Sequence, residues 1–150
     1  MRIAGGALIA GTAAAVVGCS AATEHPVTPV TAVVTSGHPS ETLTPLIQQA
    51  LPNVHGKTFT AATVTFPPGA RAAPHRHGNA FVYAYVLEGT VRSRLEGQPM
   101  RTYHQGENWV EQPGAHHVAT ENVSNTKPAK LLVVFVSTTG EKLKIDDPHK

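Results

Sequence analysis

The chain has 150 residues, 12 Lys and Arg against 10 Asp and Glu, and a formal net charge of +2 with its 9 His neutral. That length suits one domain, and so even a balance of charge leaves no basic footprint for nucleic acid. Phe, Trp and Tyr make up only 5% while Gly (13) and Pro (12) stand beside many Val and Thr, a mixture that favours short strands and turns over long helices.

The first segment, "MRIAGGALIAGTAAAVVGCS", has one positive charge at Arg2, an uncharged and mostly apolar run from Ile3 to Val17, then Gly18-Cys19. The run is short for a membrane span and suits an export signal. "VVGC" resembles a bacterial lipobox. That resemblance implies cleavage after residue 18, lipidation of Cys19, and a mature protein held at the outer face of a bacterial envelope membrane. Cys19 is the only cysteine, so no disulfide can form within the chain. Residues 20–29, "SAATEHPVTP", read as a tether. The expected organisation is a signal peptide over 1–18, a tether over 19–35, a domain over 36–142 and a tail over 143–150.

"VTAVV" (30–34) predicts a first strand. "TPLIQQAL" (44–51) predicts a short N-terminal helix, with Thr44 as N-cap, Pro45 at the first helical position, and Leu46, Ile47, Ala50 and Leu51 on one side. From there the pattern is of strands: 57–66, 80–87, 90–95, 108–112, 116–120 and 130–137. Pro67-Pro68-Gly69, Glu88-Gly89, Glu96-Gly97, Gln105-Gly106 and Pro113-Gly114 punctuate them. Beyond Gly89 these signals recur roughly every eight to ten residues, the rhythm of an antiparallel sandwich or barrel. The last residues, "DDPHK", read as a frayed tail.

His75 and His77 are two apart, so in a strand their imidazoles share a face. Imidazole suits Zn, Cu, Fe or Ni. The order Pro68-Gly69, His75-x-His77, Gly89, then Gly106, Pro113-Gly114, His117 and Asn122 resembles the two characteristic motifs of the cupin superfamily. "YVLEG" (85–89) and "EQPGAHHVATEN" (111–122) look like the small single-domain bacterial cupins. The resemblance spans about 57–137. It implies an all-β, cupin-type β-barrel (double-stranded β-helix, or jelly roll), with His75, His77 and His117 as metal ligands directed inward from separate strands. It also implies a divalent metal (Fe, Mn, Zn, Ni or Cu) as cofactor, a small-molecule ligand or substrate, and a homodimer.

Two positions depart from the family pattern. Pro113 and Gly114 are adjacent, where the family has one residue between them. Val82 stands where the family places a glutamate ligand. Three outcomes follow: a three-histidine centre, substitution by another carboxylate, or a metal-free pocket for an organic ligand. By strand parity Glu121, four residues after His117, would face the site; Glu111 lies too close to a turn for parity to decide. His116 is expected on the opposite face from His117, and Arg92 and Arg94 on a solvated strand face. Catalytic groups beyond the metal are not identifiable from sequence. The expected function is an envelope-anchored metal cupin that acts on or binds a small molecule, as an oxygenase or isomerase. The alternative is a non-catalytic, metal-free binding module.

Overall fold

The computed structural model describes residues 38–148. The signal peptide, Cys19 and the strand expected at 30–34 lie outside the described residues. Among the described residues eleven strands run in chain order: β1 Thr42–Ala50, β2 Lys57–Phe66, β3 Arg71–Ala72, β4 His75–Arg76, β5 Phe81–Glu88, β6 Thr90–Leu95, β7 Arg101–His104, β8 Asn108–Glu111, β9 His116–Asn122, β10 Ala129–Thr138 and β11 Ile145–Asp146. They form two antiparallel sheets, ordered β1-β2-β10-β5-β8 and β11-β4-β9-β6-β7, with β3 also paired to β9. The all-β barrel-like architecture matches expectation.

Alternation decides which residues meet in the interior. In the first sheet, Thr60, Phe135, Val82 and Glu111 stand side by side on four neighbouring strands. Ala62, Val133, Ala84 and Trp109 form the next row, and Val64, Leu131 and Val86 the one after. All of these are buried. The opposite face of the same sheet carries Phe81 and Leu87, both exposed, with Tyr83 and Tyr85 half-buried between them.

The expected helix at 44–51 is not formed; no helix occurs among the described residues. Those residues instead build β1, which pairs with β2 over nearly its whole length. Pro45 lacks an N–H but sits on an edge strand, at a register shift between Pro45 and Ile47, where a proline is tolerated. Leu46 and Ile47 are 59% and 51% exposed, so the apolar residues that suggested an amphipathic helix bury no face here. Pairing to the open edge of β2 overrides the local cap signal.

Within the expected tail, Asp146 and Asp147 are engaged, while His149 and Lys150 lie outside the described residues. Ile145 and Asp146 pair with Arg76 and His75, and the Asp147 amide donates to the Pro74 carbonyl at 2.9 Å. This short return strand braces the segment that carries the first two histidines. Gly114, at φ 78°, makes the adjacent Pro113-Gly114 turn workable, since its left-handed backbone suits glycine. Its amide donates to the Gly78 carbonyl at 2.8 Å and its carbonyl accepts from Arg76 Nη1 at 3.0 Å, tying the β8–β9 turn to the His75–Gly78 segment.

Candidate metal centre

His75 and His117 are register partners on β4 and β9, so their side chains leave the sheet together. His77 lies just past the end of β4. The ring centroids of His75 are 4.7 Å from His77 and 5.0 Å from His117. All three residues are buried, and each can offer one nitrogen such that the three nitrogens lie within 4.8 Å of one another.

Backbone carbonyls fix two of the tautomers. His75 Nδ1 lies 2.7 Å from the Ala73 carbonyl and His77 Nδ1 2.5 Å from the Leu143 carbonyl. A carbonyl only accepts, so both Nδ1 atoms carry the hydrogen and both Nε2 atoms present lone pairs. His117 Nε2 is in contact with Ser93 Oγ (2.8 Å) and Thr120 Oγ1 (2.5 Å). Its Nδ1 is 3.0 Å from Glu111 Oε1, yet it makes no aligned hydrogen bond there. Glu111 Oε2 also has no hydrogen-bond partner. A cluster of lone pairs and a carboxylate, buried and incompletely satisfied, fits a divalent cation: three imidazoles with carboxylate or water is an ordinary donor set for Zn or Fe(II).

The other residues singled out from sequence fall as follows. Glu121 faces away from the site, contrary to parity, and pairs with Arg71 Nε at 3.0 Å and Arg92 Nη2 at 2.5 Å. The cause is a bulge. Leu95 pairs with His117 but Arg94 pairs with Ala119, so Val118 is an extra residue and the alternation flips beyond it. Thr120, three residues after His117, therefore lands on the His117 face and Glu121 on the other. Glu111 is 3% exposed and inward. His116 is on the outer side, with Nε2 2.8 Å from Asp147 Oδ2. Arg92 and Arg94 are exposed. Ser93 and Thr120 were not picked out as site residues. Ser93 alternates with Val91 and Leu95 on β6, which marks it as a polar residue on an apolar face, but Thr120 was hidden by the bulge.

The site opens into a cavity of about 140 Å³. Val64, Phe66, Leu131 and Val133 give it apolar walls, and Glu41 and Lys144 also line it. Lys144 Nζ is engaged by Glu41 at 2.6 Å and by Asp146 at 2.8 Å. Phe135 stands beside His77, ring centroids 5.3 Å apart.

Burial pushes the His75 imidazolium down to about 4 from 6.5, and pushes His77 down as well. Burial pushes the Glu111 carboxyl up, but contact with His117, then His77 and Trp109, outweighs it and holds the group below the usual carboxylate range. Between about 6.5 and 4 the unfolded chain takes up the His75 proton and the folded chain does not. Metal-free protein should therefore lose stability as pH falls through that window, by roughly 3 kcal/mol at most from this one group. His77 adds in the same direction. Urea titrations of chelator-treated protein from pH 7.5 to 4 measure this; an unchanged midpoint would mean that the His75 ring is solvated when folded.

Two antiparallel sheets enclosing inward-facing histidines from separate strands define a cupin-type double-stranded β-helix. Residues 62–135 match the family model described as "Cupin domain". Residues 62–135 are thus a cupin domain, and the fold is shared with solved cupin-type structures. Among solved structures, the DMSP lyase DddQ from Ruegeria pomeroyi DSS-3 is similar at 24% identity and a TM-score of 0.57, over 71% of this chain and 51% of that one. An oxalate oxidase is similar at 25% identity and 0.52, over 59% and 45%. TT1209 from Thermus thermophilus is similar at 26% and 0.53, over 64% and 82%. The chain spans about half the length of the lyase and of the oxidase. No curated protein sequence matched it.

Proposed function

We propose that this chain is a divalent-metal cupin of the bacterial cell envelope, lipid-anchored through Cys19, that acts as an oxygenase or isomerase on one small, largely apolar molecule. The observation that carries the reading is the convergence of three buried imidazoles, two of them locked with Nε2 lone pairs free, at the inner end of a mostly apolar cavity. A bound ion would supply Lewis acidity and a water of lowered pKa. The protein's own part is to hold the ligand against the histidines and keep bulk water out. At about 140 Å³ the cavity suits a molecule of a few heavy atoms, well below drug-sized pockets of several hundred Å³. The similarity to an oxalate oxidase supports a small substrate and leaves its identity to experiment. The apolar outer face with Phe81, Leu87 and Val110 exposed supports a homodimer through that sheet, which light scattering would reveal.

The test is elemental analysis of the full chain, purified without a polyhistidine tag, beside a His75→Ala, His117→Ala variant. About one ion per chain in the first and none in the second is the expected result. No ion after incubation with Fe(II), Mn, Ni, Cu or Zn would reverse the reading in favour of a metal-free binding module. The anchor is tested by mass spectrometry of the native protein. An intact N-terminus, or a Cys19 without acyl mass, would refute it.

A further inference from the structure

Val82 leaves the site without the carboxylate that the cupin pattern places there. We infer that Glu111 on β8 supplies it, making a three-histidine, one-carboxylate centre whose acidic ligand comes from the strand next to the usual one. This assignment rests on the divalent-metal reading proposed above.

The register carries the first part of the argument. Val82 on β5 and Glu111 on β8 are directly opposed in an antiparallel pair, so their side chains leave the same face as neighbours. A carboxylate moved from 82 to 111 therefore stays on the inner face of the same sheet, one strand over. Valine at 82 is buried at 1% exposure and keeps that position apolar, next to Phe135.

Hydrogen-bond accounting carries the second. Glu111 is 3% exposed, and among the described residues its ion-pair partners are His77 and His117, with no Lys or Arg. Trp109 Nε1 donates to Oε1 at 3.1 Å and so sets the carboxylate plane. Oε2 is left without a partner, 3.6 Å from His77 Nε2. That nitrogen bears a lone pair, because its ring hydrogen is committed to the Leu143 carbonyl. Two buried acceptors facing each other repel unless a cation or a proton lies between them. A metal ion between them meets the need and uses both lone pairs. The spacings agree: two ligands about 2.0–2.2 Å from one ion stand about 3.0–3.6 Å apart at octahedral to tetrahedral angles. Glu111 Oε1 lies 3.0 Å from His117 Nδ1 and Glu111 Oε2 lies 3.6 Å from His77 Nε2, so each oxygen faces one of the two rings.

The consequence is a change in the charge of the centre. Three imidazoles alone would leave a divalent ion its full charge, whereas one carboxylate halves it. The attraction for anionic substrates weakens accordingly, in keeping with a cavity walled by Val64, Phe66, Leu131 and Val133.

The test uses the full, untagged chain and Zn²⁺ as the probe, with affinity read by chelator competition. Glu111→Gln is expected to lower Zn²⁺ affinity about 100-fold or more, at or beyond the upper end for outer-sphere changes, while the urea midpoint of the metal-free variant stays near wild type. Adding Val82→Glu to Glu111→Gln is expected to restore most of the loss, since it returns a carboxylate to the opposed position. A crystal structure of zinc-loaded wild-type protein, which needs no variant to fold, should place a Glu111 oxygen about 2.0–2.2 Å from the ion. Wild-type affinity in Glu111→Gln, or a Glu111 carboxylate held away from the ion, overturns the inference and leaves a three-histidine centre. Loss in Glu111→Gln without rescue by Val82→Glu would assign Glu111 to positioning His117 instead, and overturns it too. Wild-type protein that takes up no metal defeats the underlying reading, a separate and distinguishable result.

Discussion

Phe135→Ala is expected to destabilise the protein by about 3–5 kcal/mol, the range for removing a buried aromatic ring. Phe135 is 1% exposed and stands in the inward row between Thr60 and Val82. Its ring also backs His77. The space left by the ring would join the existing cavity of about 140 Å³, so the surrounding strands have little means of closing it. Against a total stability of about 5–15 kcal/mol for a domain of this kind, the loss should lower the Tm by roughly 15 °C. Urea and thermal unfolding measure it. Val54→Ala, in the exposed turn before β2, is the control and should stay within about 0.5 kcal/mol. A loss below about 1 kcal/mol for Phe135→Ala would show that the interior collapses around the vacancy, and that the cavity is not held rigidly.

The parts of this architecture that were legible in the sequence are those governed by local alternation and turn chemistry. The Thr- and Val-rich run at 57–66, the alternating run at 90–95 and the continuous apolar run at 130–137 end near Pro or Gly signals, and β2, β6 and β10 occupy nearly those spans. Gly89 shows why such signals hold. At φ 79° its backbone is left-handed, and a Cβ there would meet the Pro128 carbonyl oxygen at 2.9 Å and Ala129 atoms at 3.0 Å, so both the turn and the close approach call for glycine. What the sequence hid depended on pairing between distant segments. β1 looks helical until the open edge of β2 is available, and β3, β4 and β11 are two-residue strands with no period to detect. The His-x-His spacing placed two imidazoles together, and the superfamily resemblance pointed to the third. The carboxylate question was not answerable from spacing. Parity favoured Glu121 because the extra Val118 is invisible without β6 alongside, and Glu111 was undecided because its place opposite Val82 is a matter of register.

Asn122→Asp is expected to cost about 3 kcal/mol or more, although the two side chains have nearly the same shape. Asn122 is 5% exposed and closes the end of the barrel where three chain segments meet. Its Nδ2 donates to the carbonyls of Phe66 at 3.2 Å, Pro67 at 3.0 Å and Lys127 at 2.8 Å, and its Oδ1 accepts from the Ser124 amide at 2.9 Å. The end of β2 and the loop before β10 are thus pinned to β9 by one amide. The substitution keeps the acceptor and replaces the donor with an oxygen facing three carbonyls. Each buried acceptor left unsatisfied costs about 1–3 kcal/mol, and the new charge has no cation among those partners. No cavity is created, so a measured loss reports the polar network alone. The pH dependence gives a second readout. The new carboxyl should have a raised pKa when folded, so the folded state holds its proton where the unfolded chain, at about 3.9, has released it. The deficit relative to wild type should therefore grow as pH rises from about 4 to 7. Equal deficits at both ends of that range would mean that the carboxylate finds solvent, and that Asn122 is less enclosed than its three donor contacts indicate.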